Sequence, residues 1–126
     1  MAKYLSIIDS AYRATIEEQD DTALWFTHAM KNGGADVAIL LRGDAVNYAV
    51  QNQDAKGLRF GTRAVRGPDL VRDVKALVEK RIPLYVVADD VAERGVQASQ
   101  LIAGIEQISR GGVAKLIEAH DRIVSW

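Results

Sequence analysis

Tyr4 to Asp9 forms a short apolar run rich in β-branched and aromatic residues and closed by Ser10, and this pattern predicts a first strand. Thr15 and Glu18 then stand in the T-x-x-E capping spacing, which predicts a helix start nearby. The helix body is read through Ala23 to Met30 and stops at Asn32-Gly33-Gly34. Ala35 to Leu41 is apolar except for Asp36 and predicts a second strand ending at Arg42-Gly43-Asp44. Near-continuous rather than alternating apolarity is the mark of a strand covered on both faces, as in a parallel sheet. Asp44 to Tyr48 reads as a short helix, and Gln51 to Gly67, with no sustained period, as a long irregular loop.

Gly67-Pro68-Asp69 opens the next helix, whose stripe is Leu70, Val71, Val74, Leu77 and Val78. Arg81 to Ala88 predicts a central strand with Pro83 at its start. Asp90 and Glu93 repeat the capping spacing and are expected to open a short helix ending near Gly95. Gln97 to Ala103 is ambiguous between a turn and a helical end. Gly104 to Ile108 reads as a brief strand. Gly111-Gly112 precedes a last helix with Val113, Leu116, Ile117 and His120 on one face, and Ile123 to Trp126 reads as a terminal edge strand. Strand and helix alternate about five times, the pattern of a three-layer α/β/α fold with right-handed crossovers.

The 126 residues suit one domain, taken as residues 1–126. Hydrophobic residues at 48% and charged residues at 26% are globular values. With no cysteine, disulfides, thiolate ligands, persulfides and thiol nucleophiles are excluded, so any chemistry rests on oxygen and nitrogen groups. A formal charge of -1 exerts no overall pull on nucleic acid or an anionic membrane. No apolar run approaches the roughly 20 residues of a membrane span, and the first residues lead straight into a strand rather than a signal core. A cytoplasmic protein is expected, with neither nucleic-acid nor membrane partners.

In such a sheet the carboxyl ends of the strands carry the site. The expected ligand-binding set there is Ser10, Arg42, Gly43, Asp44, Ala88, Asp89, Asp90, Arg110 and Gly112. Asp9, Asp44, Asp89 and Asp90 have no spacing specific to magnesium, and helix capping is the expected use of Asp44 and Asp90. No metal site, no cofactor and no catalytic residue is assigned. The dinucleotide fingerprint, the P-loop and the G-x-S-x-G elbow are all missing. Gly111-Gly112 can present amides to an anion, though a structural turn is the plainer reading. His28 and His120 are expected to be structural. Lys56, Arg59, Arg63 and Arg66 around Leu58 and Phe60 read first as solvated or locally paired charges, and as a surface they suit a protein partner or a neighbouring subunit better than nucleic acid. Among the large side chains Trp25, Phe26, Tyr48, Phe60 and Trp126, some are expected to be shared between subunits, with core packing the plainer reading of Trp25 and Phe26.

Several fragments, in order, resemble the DsrE/DsrF-like family, which includes sulfur-relay proteins of the TusD kind. They are Leu5 to Ser10, Leu41-Arg42-Gly43-Asp44-Ala45-Val46, Ile82-Pro83-Leu84-Tyr85-Val86-Val87, Ala92-Glu93-Arg94-Gly95-Val96, Gly104 to Ile108, and Leu116-Ile117 leading to Asp121 through Trp126. The resemblance implies a five-stranded, mainly parallel sheet between helices, assembly into trimers or hexamers, often with related subunits, and sulfur handling in the cytoplasm. Many members carry a persulfide on a cysteine at the end of the strand that precedes an R-G-[VI] turn. Val87 stands at the corresponding position and cannot hold sulfur. The expectation is a non-catalytic subunit or binding protein in a homo- or hetero-oligomer. The alternatives are a small anionic ligand bound in the strand-end cleft, and less favoured, an enzyme using an aspartate base.

Overall fold

The computed structural model describes residues 1–126. Five parallel strands, β1 (Lys3–Ile8), β2 (Asp36–Leu41), β5 (Leu84–Val87), β6 (Glu106–Ile108) and β7 (Arg122–Ser125), form one sheet in the order β6-β5-β2-β1-β7. Helices α1 (Thr22–Asn32), α2 (Leu70–Glu79) and α3 (Ala88–Glu93) lie on one face, and α4 (Val113–Glu118) lies on the other. The fold is a three-layer α/β/α sandwich.

Crossover handedness explains this division. From β1 to β2 to β5 to β6 the chain steps steadily across the sheet, and right-handed connections keep α1, α2 and α3 on the same side. The last connection returns from β6 to the far edge beside β1. Reversing direction while keeping the same hand sends α4 to the opposite face.

The pleat sorts the strand residues accordingly. Ile8, Ile39, Leu41, Leu84 and Val86 join the larger core with Leu24, Val74, Leu77 and Tyr48. Leu5, Ile7, Ala38, Leu40 and Val87 form the smaller core against Val113, Leu116 and Ile117. On the first face Trp126 packs edge-on against Phe26 at 5.6 Å between ring centroids and donates its indole N–H to the buried Ser6 hydroxyl. The C-terminal edge strand is thereby tied to both β1 and α1.

Several sequence expectations need correcting. The first helix is capped by Asp21, whose Oδ1 accepts from the Ala23 and Leu24 amides, and not by Thr15. Thr15 does accept from the Glu18 amide, but this closes a separate turn upstream of the helix. α3 starts at Ala88, immediately after β5, so Asp90 lies inside its first turn and leaves the cap position to Val87. The loop expected over residues 51–67 contains a two-stranded hairpin, β3 (Leu58–Phe60) with β4 (Arg63–Val65). Its turn places Gly61 at a φ of 60°, the left-handed conformation that short hairpin turns require and glycine adopts freely. The ambiguous stretch after α3 closes as a single tight turn at Ala98–Gln100, with Gln97 and Gln100 forming a reciprocal capping box.

Candidate functional site

A crevice opens in an α/β sheet where the loops after two neighbouring strands leave towards opposite faces. Here those strands are β5, followed by α3, and β6, followed by α4. Val87 and Ala88-Asp89-Asp90 stand on one side of this switch point, and Ser109 to Gly112 on the other. Val87 is buried and turns towards the α4 side, against the smaller core.

Asp90 joins three strand ends. Its Oδ2 accepts the Gly43 amide at 2.8 Å, from the end of β2, and its Oδ1 accepts from Arg110 Nη2 at 2.6 Å, from the end of β6. Gly43 fits here because its φ is 59° and an added Cβ would approach the Asp9 carbonyl at 3.3 Å. Burial by itself raises the Asp90 carboxyl, but the Gly43 amide and then the Arg110 guanidinium outweigh it and hold the group below the usual carboxylate range. Arg110 Nη2 also meets Glu93 Oε1 at 2.8 Å, and the Arg110 amide donates to Asp89 Oδ1 at 2.8 Å. The bonds to Glu93 and then Asp90 hold the Arg110 guanidinium even more firmly protonated than usual.

The network continues towards β1. Arg42 Nε pairs with Asp9 Oδ1 at 2.6 Å, while Arg94 grips Asp44 Oδ1 through Nε at 3.1 Å and Nη2 at 2.8 Å. Arg94 Nη1 also donates to the Asp90 carbonyl at 3.2 Å. Carboxylates and guanidiniums thus alternate across the ends of four strands, with Asp9, Asp44, Asp89, Asp90 and Glu93 facing Arg42, Arg94 and Arg110. Asp44 serves this network rather than a helix cap, a further departure from the sequence reading.

Of the residues expected to bind a ligand, Gly43, Asp89, Asp90 and Arg110 are in direct contact, with Ala88 beside them on α3. Arg42 and Asp44 extend the row through Asp9 and Arg94. Ser10 lies exposed beyond Asp9, and the Gly112 amide is turned back to the Ser109 carbonyl at 2.9 Å. His28 Nε2 lies 3.4 Å from the Asp73 carbonyl, and His120 Nδ1 lies 2.7 Å from that of Leu116, both structural contacts. No group of three or more His, Cys, Asp and Glu side chains is arranged to hold a metal ion. In sequence, Glu93 and Arg94 stand out only as part of a cap spacing and a family fragment. Their spacing of three and four residues from Asp90 on one short helix was the available signal.

The sequence reading also missed a buried polar knot after β1. Tyr48 and Asp21 are almost wholly enclosed, and the Tyr48 hydroxyl donates to Asp21 Oδ2, which also accepts the Arg13 amide at 2.8 Å. Tyr48 is therefore core rather than a shared interface residue, whereas Trp25 and Phe60 are 57% and 62% exposed.

A parallel sheet covered by helices on both faces, with ion pairs across its strand ends, defines an α/β/α sandwich protein. A family model described as the DsrE/DsrF-like family matches residues 5–126, and the chain belongs to that family. Among solved structures, the ychN protein from E. coli matches with a TM-score of 0.78 at 18% identity, covering 100% of both chains. A protein of unknown function, MTH1491 from Methanobacterium thermoautotrophicum, matches with a TM-score of 0.63 at 16% identity, again over 100% of both chains. At these identities the two structures support the fold alone. No curated protein matches the chain.

Proposed function

We propose that this chain is a non-catalytic subunit or binding protein of sulfur relay or sulfur metabolism, acting in the cytoplasm within a homo- or hetero-oligomer of three or six subunits. The observation that carries this reading is chemical. The chain belongs to a family associated with sulfur relay, yet contains no cysteine, and a buried valine closes the strand end where the resemblance calls for a persulfide carrier. No persulfide can form on these 126 residues, so a role in sulfur transfer is exercised through partner subunits.

Exposed apolar side chains support assembly. Leu58 and Phe60 are 50% and 62% exposed on the β3–β4 hairpin, and Trp25 is 57% exposed on α1. Large exposed apolar groups in a domain of this size are the usual anchors of subunit interfaces. No helix is long and apolar enough to cross a membrane, so a lipid bilayer spanned by a helix does not account for them.

Native mass spectrometry of protein purified gently from its own cells tests the proposal. Co-isolation with a cysteine-bearing relative, or a homo-oligomer that dissociates on Phe60→Ser, is the expected result; a homogeneous monomer at high micromolar concentration overturns it. The second reading, an anion held between Arg42 and Arg110, rests on the guanidinium of Arg110 being half exposed at the strand ends. Such an anion must displace Asp9 from Arg42, and Asp90 and Glu93 from Arg110. A homo-oligomer carrying a small bound mass that Arg110→Gln removes is the outcome that favours it.

A further inference from the structure

A concavity lies away from the β5–β6 strand ends, between the loop after β1 and the neck of the β3–β4 hairpin. Two adjoining hollows of about 540 and 320 Å³ share Gln53, Asp54, Ala55 and Pro68 as a common wall. Their combined size is in the range of small-molecule sites. Beyond that wall the larger hollow is lined by Tyr12, Ala14, Ile16 and Leu70 together with Lys56, and the smaller by Arg66 and Arg72 together with Asp69. One end is thus mainly apolar and aromatic, and the other carries guanidinium beside carboxylate.

The polar end holds two guanidiniums, Arg66 and Arg72, and two carboxylates, Asp54 and Asp69. Asp54 is engaged by Lys56 at 3.0 Å, and Asp69 accepts the Arg72 amide at 3.0 Å as the cap of α2. Arg66 makes no ion pair, and the Arg72 guanidinium has only a loose contact with Asp73 at 3.6 Å.

The walls are held in advance of any ligand. Gln53 Nε2 donates to the Asn47 and Val50 carbonyls, each at 2.8 Å, and its Oε1 accepts from the Tyr12 hydroxyl. The Tyr12 ring stands edge-on to the buried Tyr48, 5.0 Å between centroids. Gln19 Nε2 ties the Ile16 and Arg66 carbonyls together, at 2.7 Å each. At the neck of the hairpin, a Cβ on Gly57 would lie 2.1 Å from the Val65 carbonyl and one on Gly67 1.6 Å from that of Ala55, so only glycine allows the two arms to close to this distance. Pre-set walls reduce the ordering cost of binding.

We propose that this cleft binds a small amphipathic acid, its aryl or alkyl body against Tyr12, Ile16 and Leu70 and its carboxylate between Arg66 and Arg72. A carboxylate suits the site because guanidinium offers paired, directional N–H donors, while the apolar end rewards removal of the hydrocarbon body from water. The site is independent of the role proposed above and of the strand-end ion pairs.

Isothermal titration calorimetry on the full chain with 4-phenylbutyrate and octanoate, set against the uncharged 4-phenylbutanol, tests this. At least one acid is expected to bind saturably and about tenfold more tightly than the alcohol, as a charge-assisted contact requires. The double variant Arg66→Gln/Arg72→Gln, both at exposed positions, should abolish that preference, whereas Arg42→Gln and Arg110→Gln should leave it intact. The proposal is overturned by absence of saturable binding of both acids up to about 5 mM. Equal affinity for acid and alcohol, or a preference lost on Arg110→Gln, overturns it as well.

Discussion

Replacing Asp21 by alanine tests how much of the fold hangs on the polar knot beneath the β1 loop. Asp21 is 1% exposed, and its two carboxylate oxygens accept from four donors: the Ala23, Leu24 and Arg13 amides and the Tyr48 hydroxyl. Loss of the helix cap costs about 1 kcal/mol. The Arg13 amide keeps an acceptor, since it also lies 3.2 Å from the Tyr48 oxygen. The Tyr48 proton does not, and a buried donor left without a partner costs about 1–3 kcal/mol. The sum is about 3 kcal/mol, a large share of a stability of about 5–15 kcal/mol, yet it leaves a folded protein to measure.

Urea unfolding should therefore show Asp21→Ala with a lower midpoint at unchanged slope. Tyr48→Phe should cost about 1.5 kcal/mol, because Asp21 retains its three amide donors. In Asp21→Ala/Tyr48→Phe no hydroxyl is stranded, though the half-buried Arg13 amide loses both of its acceptors, so the double variant should be about 1 kcal/mol more stable than the summed single effects predict. A cost below about 1 kcal/mol for Asp21→Ala, or simple additivity in the cycle, refutes the reasoning.

Three further outcomes follow from the same structure. Burial, then the bond to Asp21, pushes the Tyr48 phenol above its ordinary 10.0, and burial likewise raises Tyr12. Above pH ~10 the unfolded phenols lose protons that the folded ones keep, so stability should fall with a limiting slope of about 1.4 kcal/mol per pH unit for each group. Denaturant titrations from pH 9 to 11 should show a shallower fall for Tyr48→Phe. Burial lowers His28, despite its contact with the Asp73 carbonyl. The unfolded imidazole then takes up a proton more readily, so stability should decline as pH drops below ~6.5, and His28→Gln should flatten this step. Gly67→Ala forces the hairpin neck apart and should cost about 1–3 kcal/mol, with amide exchange accelerating over residues 55–67 before the central strands; unchanged exchange there would contradict the close approach.

How far the chain was legible depended on the range of the interactions involved. Near-continuous apolar runs at 37–41 and 84–87 announced doubly covered parallel strands, and the stripe from Leu70 to Val78 announced α2, because burial on one or two faces imposes a period that neighbouring residues display by themselves. The hairpin at 58–65 was missed although Leu58 and Phe60 alternate with Lys-, Gly- and Arg-rich surroundings typical of a solvent-facing strand. Two three-residue strands around Gly61-Thr62 are too brief for periodicity to separate from a loop.

Composition alone removed thiol chemistry, a conclusion no arrangement in space can reverse. The alternation of strand and helix placed Arg42, Asp44, Asp90 and Arg110 at one edge of the sheet, since successive parallel strands all end there. Pairing was decided elsewhere. Asp90 joins Gly43 and Arg110 across 47 and 20 residues of chain, and Tyr12 meets Gln53 across 41. A capping spacing around Asp90 is local and visible in sequence; the guanidinium that engages it arrives only when β6 docks beside β5. Charge partners and cleft walls at such separations are chosen by strand order and crossover handedness, which local sequence patterns do not contain.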